Sequence, residues 1–217
     1  MEPRYTDSGV FIALEGGEGG GKSTQAGLLA TWLEGRGHRV LLTREPGGTE
    51  VGRRLRSIVL GHETDDLSPR TEALLYAADK AEHVDAVVLP ALAEGHVVVT
   101  DRYVDSSLAY QGAGRTLDVA EVERVQRWAT ADLRPHLTVV LDVDPVVGLS
   151  RFEGADRIEA EPLEFHQRVR QGFLDLAARD PEHYLVLPAT GAPDEIHAQV
   201  RLAVEPWLRL ATAEVAP

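Results

Sequence analysis

The chain has 217 residues, 43% of them hydrophobic and 26% charged, no cysteine and a net charge of −13. That length carries a sizeable core in one large domain, and without thiols there can be no disulfide framework and no thiolate metal site. The acidic balance argues against nonspecific nucleic-acid binding, which needs a basic surface. No stretch approaches the ~18 apolar residues of a membrane span, residues 1–9 lack the apolar core of a signal peptide, and a cytoplasmic location is expected.

Residues 10–14, Val-Phe-Ile-Ala-Leu, form an apolar run that reads as a buried strand. Gly16, Gly17, Glu18, Gly19, Gly20, Gly21, Lys22 and Ser23 follow it in the spacing G-x-x-x-x-G-K-[ST], and apolar residues at helical spacing continue to about residue 36. Strand, glycine loop and helix in this order make a phosphate-binding site. Glycines let backbone N–H groups wrap a polyphosphate with no Cβ in the way, and the helix start adds free N–H groups and a positive dipole end. The candidate residues for binding the nucleotide's phosphates are therefore Gly16 through Thr24. Lys22 reaches the β- and γ-phosphates, and Ser23 offers a hydroxyl to Mg²⁺. The chain holds twenty arginines and only two lysines, Lys22 and Lys80, so a lysine at this loop carries added weight.

A second strand, 40–43, runs into Arg44, a candidate phosphate clamp, and then the close-approach turn Pro46-Gly47-Gly48. Helices are expected over 49–60 and 69–93, the latter with Ser68, Pro69 and Glu72 as start signals. The strand at 97–100 ends in Asp101-Arg102-Tyr103. Ligands sit beyond the carboxyl ends of strands in open α/β sheets, so Asp101 is placed to hold Mg²⁺ or one of its waters and Arg102 to clamp phosphate oxygens. Further on come a helix at 119–131, a strand at 137–141, a helix at 145–151, a break at 152–157, a helix at 162–179, a strand at 184–187 and a helix at 193–210. The rhythm implies an α/β fold, a doubly wound parallel five-stranded sheet flanked by helices, in a single domain over 1–217. The segment 151–161 is the expected mobile lid, with Gly154 as a hinge. Eight scattered histidines form no metal-ligand pattern.

The glycine loop, Leu42-Thr43-Arg44-Glu45-Pro46-Gly47-Gly48-Thr49, Asp101-Arg102-Tyr103, Ser106-Ser107-Leu108-Ala109-Tyr110-Gln111-Gly112, Leu141-Asp142-Val143 and Asp156-Arg157-Ile158-Glu159 occur in the order seen in bacterial thymidylate kinases. The chain resembles that family over nearly its whole length. The resemblance implies a P-loop NTPase-type fold, usually a homodimer, that transfers the γ-phosphoryl group of ATP to dTMP for dTTP synthesis. It gives Glu18 a place facing the acceptor sugar's 3′-hydroxyl, Arg44 and Arg102 contacts with the acceptor phosphate, and Tyr110 a place under the deoxyribose. Ser106, Ser107 and Gln111 belong to the segment around base and sugar. Tyr76 stands where the family usually has a base-stacking Phe, and Lys80 where it usually has an Arg that bonds the thymine. Gly19 stands where one subgroup carries an arginine, so the chain resembles the other subgroup, which supplies that charge from the lid; Arg151 and Arg157 are the lid candidates, Arg151 the preferred one. The resemblance also favours a cis peptide bond at Glu45-Pro46.

Overall fold

The computed structural model describes residues 5, 6, 8–64, 67–151 and 156–211. Five parallel strands, β1 (Val10–Glu15), β2 (Val40–Arg44), β3 (Val97–Asp101), β4 (Leu137–Asp142) and β5 (Tyr184–Pro188), lie in the order β2-β3-β1-β4-β5. Around them run α1 (Lys22–Gly35), α2 (Glu50–Leu60), α3 (Pro69–His83), α4 (Leu89–Ala93), α5 (Val104–Ser107), α6 (Val119–Ala129), α7 (Pro145–Leu149), α8 (Leu163–Arg179), α9 (Pro193–Val204) and α10 (Leu208–Ala211).

The central strand shows why its sequence lacks alternation. Val10, Ile12 and Leu14 pack on one face with Leu29 and Leu33 of α1 and with Val200 and Val204 of α9. Phe11 and Ala13 pack on the other with Val88, Leu92, Tyr103 and Leu108. A strand covered on both faces reads as a continuous apolar run.

Register positions the site. Leu14 pairs with Asp101, and Asp101 pairs with Arg44, so β1, β3 and β2 end side by side. The glycine loop, Asp101-Arg102 and the turn after Arg44 thereby open into one crevice at the carboxyl edge of the sheet.

The helices depart from the sequence reading in several places, among them the helix expected at 193–210, which is α9 and α10. The span 69–93 is α3 and α4 joined by a π-helical turn, Val84–Val88. Pro90 supplies no N–H to the carbonyl of Ala86, and the helix widens rather than breaks. The segment after Arg102, left without a helix by the sequence reading, is α5 running directly into a second π-helical stretch, Leu108–Gly114. Helix α7 stops at Leu149, two residues short of Arg151.

Within the expected lid, 151–161, the described C-terminal part is tied to the body of the domain. Arg157 and Ile158 are 6% and 4% exposed, packed into the body of the domain. Asp156 accepts from the backbone N–H groups of Ile158 and Glu159, both at 2.9 Å, and closes a local turn. Residues 152–155, with the Gly154 hinge, lie outside the described residues.

Candidate active site

The glycine loop is shaped by backbone. Gly16, Gly19 and Gly21 have φ of 129°, 68° and 82°, the region that L side chains rarely adopt. A Cβ on Gly16 would meet the carbonyl oxygen of Leu141 at 2.4 Å, and one on Gly19 would meet that of Gly148 at 2.2 Å. Gly21 is the N-cap of α1 and provides no side-chain cap, which leaves the first N–H groups of the helix for a ligand. Lys22 is buried, and its Nζ donates to the carbonyl of Gly17 at 2.7 Å. Burial lowers its pKa to about 8, Arg102 adds to the effect and Glu18 opposes it.

Ser23 and Thr24 stand exposed at the loop's end. The Ser23 hydroxyl donates to Asp101 Oδ2. A hydroxyl and a carboxylate so placed fit a hard cation that takes its remaining ligands from water and phosphate. Among the described residues no cluster of three or more His, Asp or Glu could form an all-protein cage.

Across the crevice the residues expected to meet the acceptor converge. Arg102, itself at φ 72°, donates from Nη2 to Glu18 Oε1 at 2.6 Å and from Nη1 to Ser106 Oγ and Tyr110 Oη, both at 3.2 Å. Tyr110 in turn donates to Glu18 at 2.7 Å, and Arg102 lies over its ring at 5.0 Å. Burial alone would raise the Glu18 carboxyl, but Arg102, Lys22 and the Tyr110 hydroxyl outweigh it and hold it at about 2. Arg44 is exposed at the mouth with no hydrogen bond or ion pair among the described residues. Arg151 donates from Nη1 to the carbonyl of Gly19 at 2.5 Å and from Nη2 to that of Ala189 at 3.3 Å.

Tyr76, Lys80, Ser107 and Gln111 line the far wall of the same cleft, whose volume is about 760 Å³. Lys80 is only 2% exposed. Its ammonium lies 3.4 Å from Glu45 Oε2 and 5.6 Å from the centre of the Tyr76 ring. The Glu45-Pro46 bond is cis. The turn that follows is braced from beneath. His83 bonds Glu45 through Nδ1 and Thr43 through Nε2, both at 2.7 Å, and Asp79 accepts from Gly47 N–H at 3.0 Å. Burial pushes the Asp79 carboxyl up, and Glu45 pushes it further.

Of the residues singled out in the sequence as site residues, all but Gly16, Gly17, Gly20 and Arg157 line this cleft, and three further groups support it without having been singled out. Glu15 accepts from the backbone N–H of Tyr103 and Ser106 at 2.8 and 3.1 Å and from the Ser106 hydroxyl at 2.6 Å, fixing the first turn of α5. Burial, then Asp105, raises its pKa to about 7. Its place directly before the glycine loop was the available signal. Arg56 lines the cleft and donates to the carbonyl of Pro46 at 3.0 Å; no motif marks it. Glu72 was read as part of a helix start. Ser68 does cap α3, accepting from Thr71 N–H at 3.2 Å, but Glu72 turns inward and is fully buried with Gln111, Arg115 and Arg157. Arg157 also donates from Nε to the carbonyl of Val59 at 2.9 Å, so of the two lid arginines only Arg151 lines the cleft.

Comparison with known proteins agrees with this geometry. The family model described as Thymidylate kinase matches residues 14–200. The chain is 54% identical to a thymidylate kinase of Clavibacter sepedonicus over 89% of this chain and 93% of that protein. It is 56% identical to one of Cutibacterium acnes, over 90% and 96% respectively. Among solved structures, the thymidylate kinase of Ehrlichia chaffeensis superposes with a TM-score of 0.77 at 30% identity, covering 91% of this chain and 99% of that one.

Proposed function

This chain belongs to the thymidylate kinase family and transfers the γ-phosphoryl group of ATP to dTMP, and on that premise we propose which residues carry the reaction. One observation carries the reading. Glu18, a residue of the phosphate loop, is bonded to both Arg102 and Tyr110, so the donor cradle and the acceptor pocket meet at a single side chain.

The acceptor is a phosphate monoester with a second pKa near ~6, largely dianionic at neutral pH, and needs no general base. The difficulty is to bring two highly charged groups together and to stabilise the spread charge of a loose transition state, a matter of positioning and cations. The loop from Gly16 to Thr24 holds the ATP phosphates. Lys22 exchanges its bond to the Gly17 carbonyl for phosphate oxygens, gaining the negative charge that restores its ordinary basicity. Arg44 and Arg102 hold the acceptor phosphate, and Glu18 aims Arg102 while facing the sugar. Tyr110 lies under the deoxyribose, where an added 2′-hydroxyl would crowd. Tyr76 stacks on the base, and Lys80, Ser106, Ser107 and Gln111 surround it. Arg151, already on the Gly19 carbonyl, supplies the charge that a glycine at position 19 does not. Ser23 and Asp101 would hold Mg²⁺, which would supply positive charge to neutralise the phosphates during transfer.

A homodimer and a cytoplasmic location belong to the same reading. Leu74 on α3 and Trp128 on α6, 58% and 80% exposed, leave apolar surface on adjacent helices for a second copy to cover. No helix among the described residues is long and apolar enough to cross a membrane. The test is ATP consumption by the purified protein with dTMP, dUMP, UMP, dGMP and AMP as acceptors. The fastest turnover is expected with dTMP; equal or faster turnover of AMP or dGMP would overturn the assignment.

A further inference from the structure

A carboxylate accepts hydrogen bonds and donates none, and Glu72 applies that rule to a side chain on the wall of the acceptor pocket. Glu72 lies one helical turn before Tyr76. Its Oε1 accepts from Gln111 Nε2 at 3.0 Å and from Arg115 Nε at 3.1 Å. Its Oε2 accepts from Arg115 Nη2 at 2.9 Å and from Arg157 Nη2 at 2.5 Å. Burial would raise this carboxyl, but the bonds from Arg115, Gln111 and Arg157 outweigh it and keep it ionised below the usual carboxylate range. Gln111 is therefore obliged to turn its NH₂ toward Glu72. The Gln111 carbonyl takes no hydrogen bond among the described residues, and Gln111 lines the cleft beside Tyr76 and Lys80.

We infer that Glu72 is a positioning residue that fixes the carboxamide of Gln111 with its carbonyl presented to the acceptor base. The pocket thereby selects a base with a ring N–H donor, as in thymine and uracil, against one with a ring-nitrogen acceptor, as in cytosine. The inference rests on the reading of this wall as the base site. Lys80 on the same wall is also a donor-only group, suited to the C4 oxygen of thymine rather than the C4 amine of cytosine.

The exchange Glu72→Gln tests this directly, because it places an NH₂ among these partners. At the Oε2 position that NH₂ would face two guanidinium donors. At the Oε1 position it faces one guanidinium nitrogen and Gln111, whose amide can rotate. Gln111 then flips and offers its NH₂ to the base. The ratio of kcat/KM for dTMP over dCMP should fall by about tenfold or more, with KM for ATP unchanged. A ratio that stays at the unmodified value, with both acceptors weakened equally, would mark Glu72 as structural only and overturn the inference.

Gln111→Leu separates the two readings. It should weaken dTMP without improving dCMP; if it leaves both unchanged, this wall does not bind the base and the underlying reading fails. Should Glu72→Gln not fold, the unmodified protein still decides the matter. The Gln111 side-chain NH₂ protons, assigned in NMR spectra by their absence in Gln111→Leu, should include one shifted well downfield of a free glutamine amide by its bond to the Glu72 carboxylate, before dTMP is added as well as after. Free-glutamine shifts that move only when dTMP binds would overturn the inference.

Discussion

The donor side of the cleft takes its shape from backbone, whereas the acceptor side takes its shape from buried side chains. From Gly16 to Gly21 three residues hold positive φ, and two of them, Gly16 and Gly19, lie against carbonyls of β4 and α7. The acceptor wall instead stands on Glu15, Glu45, Glu72, Asp79, Lys80 and His83, all buried and each tied to a partner on another element or loop. A polyphosphate is recognised by a repeating set of N–H donors, which any glycine-rich loop can supply. A particular base and sugar need side chains held at fixed angles, and that requires a satisfied polar network behind them.

The comparison is sharpened most by Lys22→Met, which removes the one buried cation of the donor side. kcat should fall about 10²- to 10³-fold, the range seen for losing one preorganised charge-stabilising donor; stopped-assay turnover at saturating ATP and dTMP measures it, and a fall of less than tenfold would break the assignment of Lys22. Next comes Gly148→Ala. Its Cβ would meet the Glu18 carbonyl oxygen at 2.2 Å, and overpacking of this kind costs about 1–3 kcal/mol. Gly17→Ala meets nothing within 4 Å, so its thermal midpoint should stay near that of the unmodified protein while that of Gly148→Ala falls by several degrees.

Arg102→Lys keeps the charge but loses the fork that joins Glu18, Ser106 and Tyr110. A tenfold drop in kcat, about 1.4 kcal/mol of barrier, is expected with KM for dTMP less affected; a change confined to KM would mark uniform binding instead. The smallest effect is on pH. Lys22 in the free protein titrates at about 8, and the cation is the working form. Below that pH it is protonated and active; above it kcat/KM for ATP should decline, since this constant reports the free enzyme. Lys22→Arg should move that alkaline limb out of reach, and a limb unchanged in the arginine variant would assign it to another group.

The same contrast governs how much could be read from the sequence. The donor side is contiguous, so strand, glycine spacing, Lys22 and Ser23 are legible together, and the strand rhythm gives the sheet. Arg44, Arg102, Tyr110, Tyr76 and Lys80 are assigned to the acceptor through family resemblance, because each sits in a recognisable block. The groups that hold them are not. Glu15 and Ser106 are 91 residues apart, and Glu72 and Arg157 are 85 apart; nothing local marks such pairs. Glu72 looked like a helix start signal because Ser68 stands four residues before it, yet two arginines draw it inward. The helix at 104–114 escaped because its polar residues, Asp105, Ser106, Ser107 and Gln111, are buried along with its apolar ones, so its sequence shows no apolar stripe set against a solvent face.

The contact between Gly19 and Gly148 also bears on how such enzymes change over time. A Cβ on Gly19 would strike the Gly148 carbonyl oxygen, and one on Gly148 would strike the carbonyl oxygen of Glu18 just before Gly19, each at 2.2 Å. An arginine cannot enter the loop at position 19 by a single replacement, since α7 has to withdraw first, and α7 leads directly to Arg151, whose guanidinium already covers the Gly19 carbonyl. Loop and helix are thus bound to drift together. Whether the positive charge comes from the loop or from the lid is an inherited, two-step commitment, fixed by the gap between two backbones.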